Sequence, residues 1–259
     1  MAAALALAPL ADAEPMKQSE AIVGLLNSPS SQSPARYAEA AERVAADAKA
    51  GLPLQRYMLA VLAGTEGLPP AAQLDESTRT EYLEGSRERI RAFAESRNNP
   101  LAWYLLSMED NDIGLLKRAV DGGNVQALNA YGTYLMHKAT RQTAPADTNA
   151  VSALVKESFE CFSRAAATGD ANGLYNLGLC YMQGIGCRAD GALAFGNMRK
   201  AAEAGHPDAM EDVSTCYERG MGTDPSEVRS MLWKMRARAA RGDRAAAEWL
   251  AANPLPEDD

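Results

Sequence analysis

We predict an all-α fold in which antiparallel helix pairs stack into a right-handed superhelix, and three features of the sequence support this prediction. The chain is rich in alanine, and no stretch of alternating Val, Ile or Thr is long enough for a strand. Two glycine-bounded segments repeat at an interval of 36 residues. The helix before each segment also repeats, so each 36-residue interval holds two predicted helices. Repeats of this length are typical of solenoids, whose units bury their apolar faces against each other.

Composition and charge exclude several classes of partner. The 259 residues are 47% hydrophobic and 23% charged, and the formal net charge is −8. An acidic chain repels the nucleic-acid backbone, and no basic run is present that would hold an anionic membrane. No apolar run approaches the roughly 18 residues that a membrane span needs. We therefore expect no nucleic-acid partner and no integral membrane segment.

Residues 1–33 form a separate N-terminal segment and linker. Residues 1–13 read MAAALALAPLADA, and the triplet 11–13 resembles a signal-peptidase site. Because no Lys or Arg opens this short segment, two interpretations stay open: the remnant of an export signal, or a frayed alanine-rich end. The sequence therefore leaves both an exported and a cytoplasmic location possible. The polar run 28–34 has the composition of a linker.

The repeat is clearest between residues 169 and 222. The segments GDANGLYNLGLCYMQGIG (169–186) and GHPDAMEDVSTCYERGMG (205–222) align without a gap. A looser copy, GNVQALNAYGTYLMH, begins at Gly123. The helix before each copy ends in a basic residue, two small residues, two variable residues and Gly. This frame predicts one helix pair per repeat.

Each part of this frame has a physical reason. Ala201 and Ala202 are small enough to let two helix axes approach closely. Gly205 then ends the helix, because glycine adopts the left-handed conformation at low cost. Gly178 lies inside a helix, where it costs about 1 kcal/mol relative to Ala. That cost indicates that another backbone packs against it, while the Gly-x-Gly at 184–186 allows a tight loop.

These residues resemble the Sel1-like repeat, a branch of the tetratricopeptide-like superfamily. Its pattern is roughly Ala-x-x-x-Leu-Gly-x-x-Tyr-x-x-Gly-x-Gly, followed by a helix that ends Lys-Ala-Ala-x-x-Gly. The sequence departs from the pattern at Ser214, which replaces the helix glycine, and at 137–139, where the closing Gly-x-Gly is missing. A polar insertion follows at about 140–150. The resemblance implies a protein-binding adaptor in which the first helix of each pair lines the concave side.

We divide the chain accordingly. Residues 34–110 are predicted to hold degenerate helical repeats, residues 111–252 the Sel1-like repeats, and residues 253–259 an acidic tail. The N-terminal prediction depends on spacing, because Gly51 and Gly123 are 72 residues apart, which is the length of two units.

Helical geometry nominates a binding groove. In the first helix of the unit at 169–186, Leu177, Gly178 and Tyr181 are predicted to face the neighbouring helix, which leaves the opposite face for a partner. Equivalent positions in three first helices give nine candidates: Asn129, Thr133, Met136, Tyr175, Leu179, Met182, Glu211, Thr215 and Glu218. The set changes from apolar to acidic, which suits a partner with an apolar segment followed by basic residues. Alternatively, Tyr175 and Leu179 pack against the next repeat.

No catalytic motif is recognisable in the sequence. His137 and His206 are the two histidines, and we interpret both as structural residues at helix ends. No zinc-binding His-Glu-x-x-His, Cys-x-x-Cys, phosphate-binding loop or Gly-x-Ser-x-Gly occurs. The acidic run 109–112 is interpreted as a solvated loop. We therefore predict a non-catalytic interaction scaffold without cofactor or metal. The alternatives are a secreted hydrolase-like or cell-wall-associated repeat protein and a structural subunit of a larger assembly.

We expect the four cysteines to be free, mostly buried thiols. Cys180 and Cys216 occupy equivalent repeat positions, and stacked helices lie roughly 10 Å apart. A disulfide needs Cα atoms closer than about 7 Å. Some secreted proteins with this repeat are penicillin-binding or weakly hydrolyse β-lactams, and they carry a cysteine pair in each repeat. The sequence lacks that pairing, which disfavours the hydrolase alternative.

Overall fold

The computed structural model describes residues 34–63, 70–141 and 148–253. These ranges contain twelve α-helices, one 3₁₀ turn at Pro70–Ala72 and no strand, so the predicted all-α fold is confirmed. The helices are α1 (Pro34–Lys49), α2 (Pro53–Leu62), α3 (Glu76–Arg97), α4 (Pro100–Asp110), α5 (Ile113–Asp121), α6 (Val125–Arg141), α7 (Thr148–Ala167), α8 (Ala171–Gln183), α9 (Gly191–Glu203), α10 (Pro207–Arg219), α11 (Glu227–Ala240) and α12 (Arg244–Ala252). No helix among them is both long and apolar enough to cross a membrane.

Several sequence-based predictions concern residues outside these ranges. The N-terminal segment 1–33, with its candidate signal remnant, lies outside the described residues, as does the tail from 254 onward. Most of the polar insertion, residues 142–147, lies outside them as well.

The described helices form two compact units, one covering Ala35–Ala127 and one that begins at Leu128. In the first unit, α2 packs against α3 and α4 packs against α5. Two helix pairs therefore occupy the interval between Gly51 and Gly123. Asn98 and Asn111 end α3 and α4 in the left-handed conformation, a role that glycine has later in the chain.

The acidic end of α4 is part of the packing of the first unit and is not the solvated loop that we expected. Glu109 accepts a hydrogen bond from the buried Tyr57 hydroxyl and pairs with Arg87, with 3.0 Å between Nη1 and Oε1. Asp110 also pairs with Arg87. Asp112 caps α5 by accepting the Gly114 N–H at 2.7 Å. Each carboxylate thus has a partner: Glu109 and Asp110 meet arginines on α3, and Asp112 meets the backbone at the start of α5.

The second unit repeats one helix crossing three times with different side chains. At α6–α7, Ser158 donates a hydrogen bond to the Gly132 carbonyl at 2.8 Å. At α8–α9, a Cβ on Gly178 would lie 2.7 Å from Cγ of Met198, so glycine is required by the close approach, as predicted. At α10–α11, Ser214 replaces the glycine and donates to the Ser230 carbonyl at 2.8 Å. A small residue is therefore kept at each crossing.

The first helices α6, α8, α10 and α12 begin with equivalent caps. Asn124, Asp170, His206 and Asp243 each accept the backbone N–H of the third residue along. His206 Nδ1 accepts from Ala209 at 3.2 Å, which confirms the predicted capping role. His137 does not end its helix, because α6 continues to Arg141.

No disulfide joins the four cysteines, all of which lie among the described residues: Cys161, Cys180 and Cys216 are buried and Cys187 is half-buried. Burial raises the pKa of Cys180 and of Cys216 to about 11. Both thiols therefore remain protonated at neutral pH, and they serve as apolar packing groups.

Candidate protein-binding groove

A groove of about 390 Å³ lies between the first helices α6 and α8 of the second unit. This volume is within the range of ligand pockets, roughly 300–1,000 Å³. Its lining residues are Thr133, Met136, His137, Thr140, Phe162, Asn176, Leu179, Cys180, Gln183 and Ile185.

The lining combines apolar and polar side chains. Phe162 and Cys180 are buried, and Met136, Leu179 and Ile185 are partly buried against the same core cluster. Thr133, His137, Thr140 and Gln183 are exposed polar residues. Apolar and polar groups together suit the docking of an apolar side chain whose backbone is hydrogen-bonded at the edge.

The helix crossing explains why the groove exists. Gly132 lies on α6 where its Cβ would come within 2.6 Å of Cε1 of Phe162, so α6 and α7 approach closely. Gly173 brings α8 close to α7 in the same way, because its Cβ would meet Ala165 Cβ at 2.6 Å. The two first helices therefore both pack on α7, and Phe162 contributes to the lining between them.

Three of the nine candidate residues line this groove. Thr133 and Met136 come from α6, and Leu179 comes from α8. Leu179 is partly buried against the core cluster and also lines the groove.

Tyr175 lies instead at the junction between α8 and α10. Its hydroxyl donates a hydrogen bond to Asp212 Oδ2 at 3.0 Å, and its ring lies 4.4 Å from that of His206. Burial, followed by the Asp212 charge, raises the pKa of Tyr175, and burial raises the pKa of Asp212. Burial lowers the pKa of His206. For Tyr175 the geometry therefore agrees with the alternative of packing against the next repeat.

The remaining candidates are spread along the first helices. Asn129 donates a hydrogen bond to Asp170 Oδ2 at 2.7 Å, and its Oδ1 is buried without a partner among the described residues. Met182 packs against the core cluster. Glu211 pairs with Arg241 at 2.8 Å, and the half-buried Thr215 donates to the Glu211 carbonyl. Glu218 is exposed.

Sequence reasoning missed most of the groove lining. Asn176 and Gln183 on α8 also line the groove, as does Ile185 in the loop after α8. None of the three was among the nine candidates. Helical spacing does carry a signal for Asn176 and Gln183, which are neighbours of Leu179 on the α8 surface. No spacing rule could identify Phe162, because it lies on a different helix.

No chemistry beyond packing and hydrogen bonding is visible at the groove. Across the described ranges, no group of three or more His, Cys, Asp or Glu side chains could hold a metal ion. His137 is the one lining histidine, and it is exposed.

The comparison with protein families matches this half of the chain. The family model described as Sel1 repeat matches residues 171–206 and again residues 207–233. Residues 171–233 match two Sel1 repeats. The first Sel1 repeat covers α8 and α9, and the second begins with α10 and ends within α11, so the interval between them is the one found in the sequence.

Solved structures with some similarity also include Sel1 repeat proteins. A Sel1 repeat protein from Oxalobacter formigenes is 20% identical, with a TM-score of 0.42, over 49% of this chain and 90% of that one. The protein c5321 of uropathogenic Escherichia coli strains, a protective antigen with an SLR fold, is 19% identical, with a TM-score of 0.36. That match covers 82% of this chain and 53% of that one. No functionally curated protein matches by sequence.

Proposed function

We propose that the protein is a non-catalytic interaction scaffold that binds a segment of another protein in the groove between α6 and α8. Sel1 repeats generally serve in protein-interaction scaffolds, and the chain carries two of them. The observation that supports the site is the groove itself, which is lined between two first helices by the partly exposed Met136 and Leu179 and by the buried Phe162.

The chemistry of the groove favours a peptide with a large apolar side chain as its anchor. A few large anchor side chains, which become fully desolvated in pockets of the partner, provide most of the free energy of protein–protein binding. The hydroxyl and amide groups at Thr133, Asn176 and Gln183 are suited to hydrogen-bond a peptide backbone. The exposed Glu218 on α10 favours a basic residue in the continuing segment, whereas Glu211 is already paired with Arg241.

The proposal is tested with variants that obstruct the groove and leave the core intact. Thr133 and Gln183 are exposed lining residues, so arginine at both positions obstructs the groove at little cost in stability. The control is the double variant Ala167→Arg and Ala192→Arg, which adds the same charge at exposed positions on α7 and α9. Circular dichroism and thermal unfolding establish that both variants fold.

Each protein is then used as affinity bait for an extract of the source organism, and the captured proteins are quantified by mass spectrometry. The proposal predicts a protein that the wild type and the control retain equally and that the Thr133→Arg, Gln183→Arg variant loses at least about tenfold. Equal retention by all three proteins would locate binding elsewhere. No specific retention would remove the support for a scaffold.

A further inference from the structure

Two cysteines lie close together where the wall of the groove joins the loop between α8 and α9. Cys180 lies near the end of α8 and lines the groove, and Cys187 lies in the loop that follows. Sγ of Cys187 is 3.6 Å from the carbonyl oxygen of Cys180. Because that oxygen is about 3 Å from Cβ of its own residue, Sγ of Cys187 is at most about 7 Å from Cβ of Cys180. Rotation of both side chains, which moves each sulfur by about 3 Å, together with a small backbone shift, closes this gap.

The cysteine pair occurs in one repeat and is missing at the equivalent positions of the others. In the next repeat, 36 residues later, the two positions hold Cys216 and Thr223. In the preceding copy, 46 residues earlier, they hold Tyr134 and Arg141. The pair is therefore not a requirement of the repeat frame, and it is found in the repeat whose first helix lines the groove.

The two thiols differ in their access to solvent. Cys187 is half-buried, whereas Cys180 is 2% exposed. A dissolved disulfide therefore reaches Cys187 first. Burial raises the pKa of both thiols, so the exchange starts from the small thiolate fraction of Cys187 and is faster above neutral pH.

We propose that Cys187 and Cys180 form a reversible disulfide that regulates the groove. This inference rests on the proposed function, because the groove is the site that the bond would change. The oxidant is a small-molecule disulfide such as glutathione disulfide. The Cys187 thiolate attacks one of its sulfurs, which releases one glutathione and leaves the other bound to Cys187. Cys180 then gives its proton to solvent, attacks Sγ of Cys187 and displaces the second glutathione. Two thiols are thereby oxidised to one disulfide, and one glutathione disulfide is reduced to two glutathione molecules.

The bond would change the wall of the groove at the end of α8. Gly186, in the loop before Cys187, is in close contact with α7, since a Cβ there would lie 2.6 Å from the Val155 carbonyl oxygen. Because α7 holds the loop at this point, the backbone shift that closes the gap falls on the last turn of α8. That turn carries Cys180 and Gln183, which both line the groove.

Mass spectrometry tests bond formation in the full-length protein. The reduced protein is incubated with excess glutathione disulfide at pH 8, quenched with acid, denatured, alkylated with N-ethylmaleimide and digested with trypsin. Both cysteines lie in one tryptic peptide, residues 165–188. We expect this peptide to carry no alkyl group and to be lighter than its reduced form by two hydrogen atoms, whereas Cys161 and Cys216 are alkylated.

Variants distinguish the internal disulfide from a mixed disulfide with glutathione. In Cys180→Ser, glutathione should remain on Cys187, because the thiol that displaces it is missing. In Cys187→Ser, Cys180 should stay reduced, and this variant should fold because position 187 is half-buried. Cys216→Ser, at the equivalent buried position of the next repeat, is the matched control and should oxidise like the wild type. Glutathione that remains on Cys187 of the wild type, or an internal bond that forms only after denaturation, overturns the proposal.

Hydrogen exchange tests the effect on the groove without a partner. We expect the amides of residues 176–188 to exchange at least about threefold more slowly in the oxidised protein, because the bond limits local opening at the end of α8. The equivalent residues 212–224 should exchange equally in both states. Equal exchange of residues 176–188 in the two states would mean that the bond does not change the groove wall, and the proposal would be wrong.

Affinity capture separates this proposal from the proposed function. Oxidised wild type should lose at least about tenfold of the partner that reduced wild type retains, whereas Cys187→Ser treated with the same oxidant should keep it. Equal retention by oxidised and reduced wild type contradicts regulation by the bond. A reduced wild type that retains no partner contradicts the proposed function, and the disulfide and its effect on α8 are then decided by mass spectrometry and hydrogen exchange.

Discussion

His206 illustrates at the scale of one residue how the repeat junction is stabilised. The equivalent caps are Asn124 and Asp170, which are common N-cap residues, whereas histidine is not. Histidine also supplies a ring, and that ring contacts Tyr175 on the preceding first helix. The sequence predicted the cap from the neighbouring Pro207. It could not predict the ring contact, because that contact depends on how two helices are positioned.

Replacing His206 separates its two roles. His206→Ala loses the cap, at about 1 kcal/mol, and the ring contact, at about 1 kcal/mol more, so we expect a loss of about 2 kcal/mol in the free energy of unfolding. His206→Asn keeps the cap and should lose about half as much. Urea denaturation measures both values. Equal destabilisation by Ala and Asn would show that the cap contributes nothing.

The same residue makes stability depend on pH. Burial lowers the pKa of His206 in the folded protein, despite the opposing effects of Asp208 and Asp170. Below the pKa of an unfolded histidine, about 6.5, the unfolded chain binds more protons, so the contribution of His206 is present above that pH and is lost below it. The stability advantage of wild type over His206→Asn should therefore decrease between pH 7.5 and 5.5. An advantage that grows on acidification would contradict this account.

Replacing two glycines on adjacent helices with alanine should change the stability of the protein in opposite directions. A Cβ on Gly178 would lie 2.7 Å from Met198 Cγ and 3.2 Å from the Ala194 carbonyl oxygen. We expect Gly178→Ala to destabilise the protein by about 1–3 kcal/mol, because overpacking exceeds the gain in helix propensity. A Cβ on Gly196 has nothing within 4 Å, so Gly196→Ala should stabilise by up to about 1 kcal/mol. Thermal unfolding measures both changes: the melting temperature should fall in Gly178→Ala and rise in Gly196→Ala.

At the scale of the helix, the second unit repeats the same helix–helix crossing, and the side chains at the crossing differ from one pair to the next. Gly132, Gly178 and Ser214 occupy equivalent places, and each lies against the following helix of its pair. The repeat interval predicted this equivalence, and Ser214 was recognised as a departure from the pattern. The hydrogen bond to Ser230 that compensates for it was not predictable, since the partner position has serine in one pair and alanine in another.

The aromatic side chain of Phe195 should contribute measurably to the free energy of unfolding, whereas the equivalent Met231 on α11 should not. Phe195→Ala removes the edge-on contact with Tyr217 and partly buried area, so we expect a loss of about 2 kcal/mol in the free energy of unfolding. Met231→Ala removes a side chain that is 49% exposed and should cost less than about 1 kcal/mol. Similar losses in the two variants would mean that Met231 is packed in solution.

The thiols should react in the order of their burial. Cys187 is half-buried and burial raises its pKa, while deeper burial raises the pKa of Cys180 and of Cys216 to about 11. We expect iodoacetamide to alkylate Cys187 first in the native protein at pH 8, because the thiolate is the reactive form. Peptide mapping by mass spectrometry locates the modification. Preferential labelling of Cys180 or Cys216 would contradict the packing described for α8 and α10.

At the scale of the molecule, the sequence predicted the architecture better than the binding surface. Alanine content, glycine spacing and caps are local signals, and they were sufficient for the all-α fold and for the repeats at 169–222. The groove is a property of three helices together. Helical spacing selected Thr133, Met136 and Leu179, which line the groove. It did not select Phe162, which lies on α7, and it included Tyr175, which packs at the junction between α8 and α10.

The central claim is that a partner protein lies in the groove between α6 and α8, and photo-crosslinking tests it most directly. The photoreactive amino acid benzoylphenylalanine is placed at Thr133 in the groove and, as a control, at Ala167 on α7, and both variants are exposed to an extract of the source organism. We predict a covalent adduct from position 133 with the protein that wild-type bait retains, and none from position 167. An adduct from position 167 alone, or no adduct with that protein from position 133, would contradict the claim.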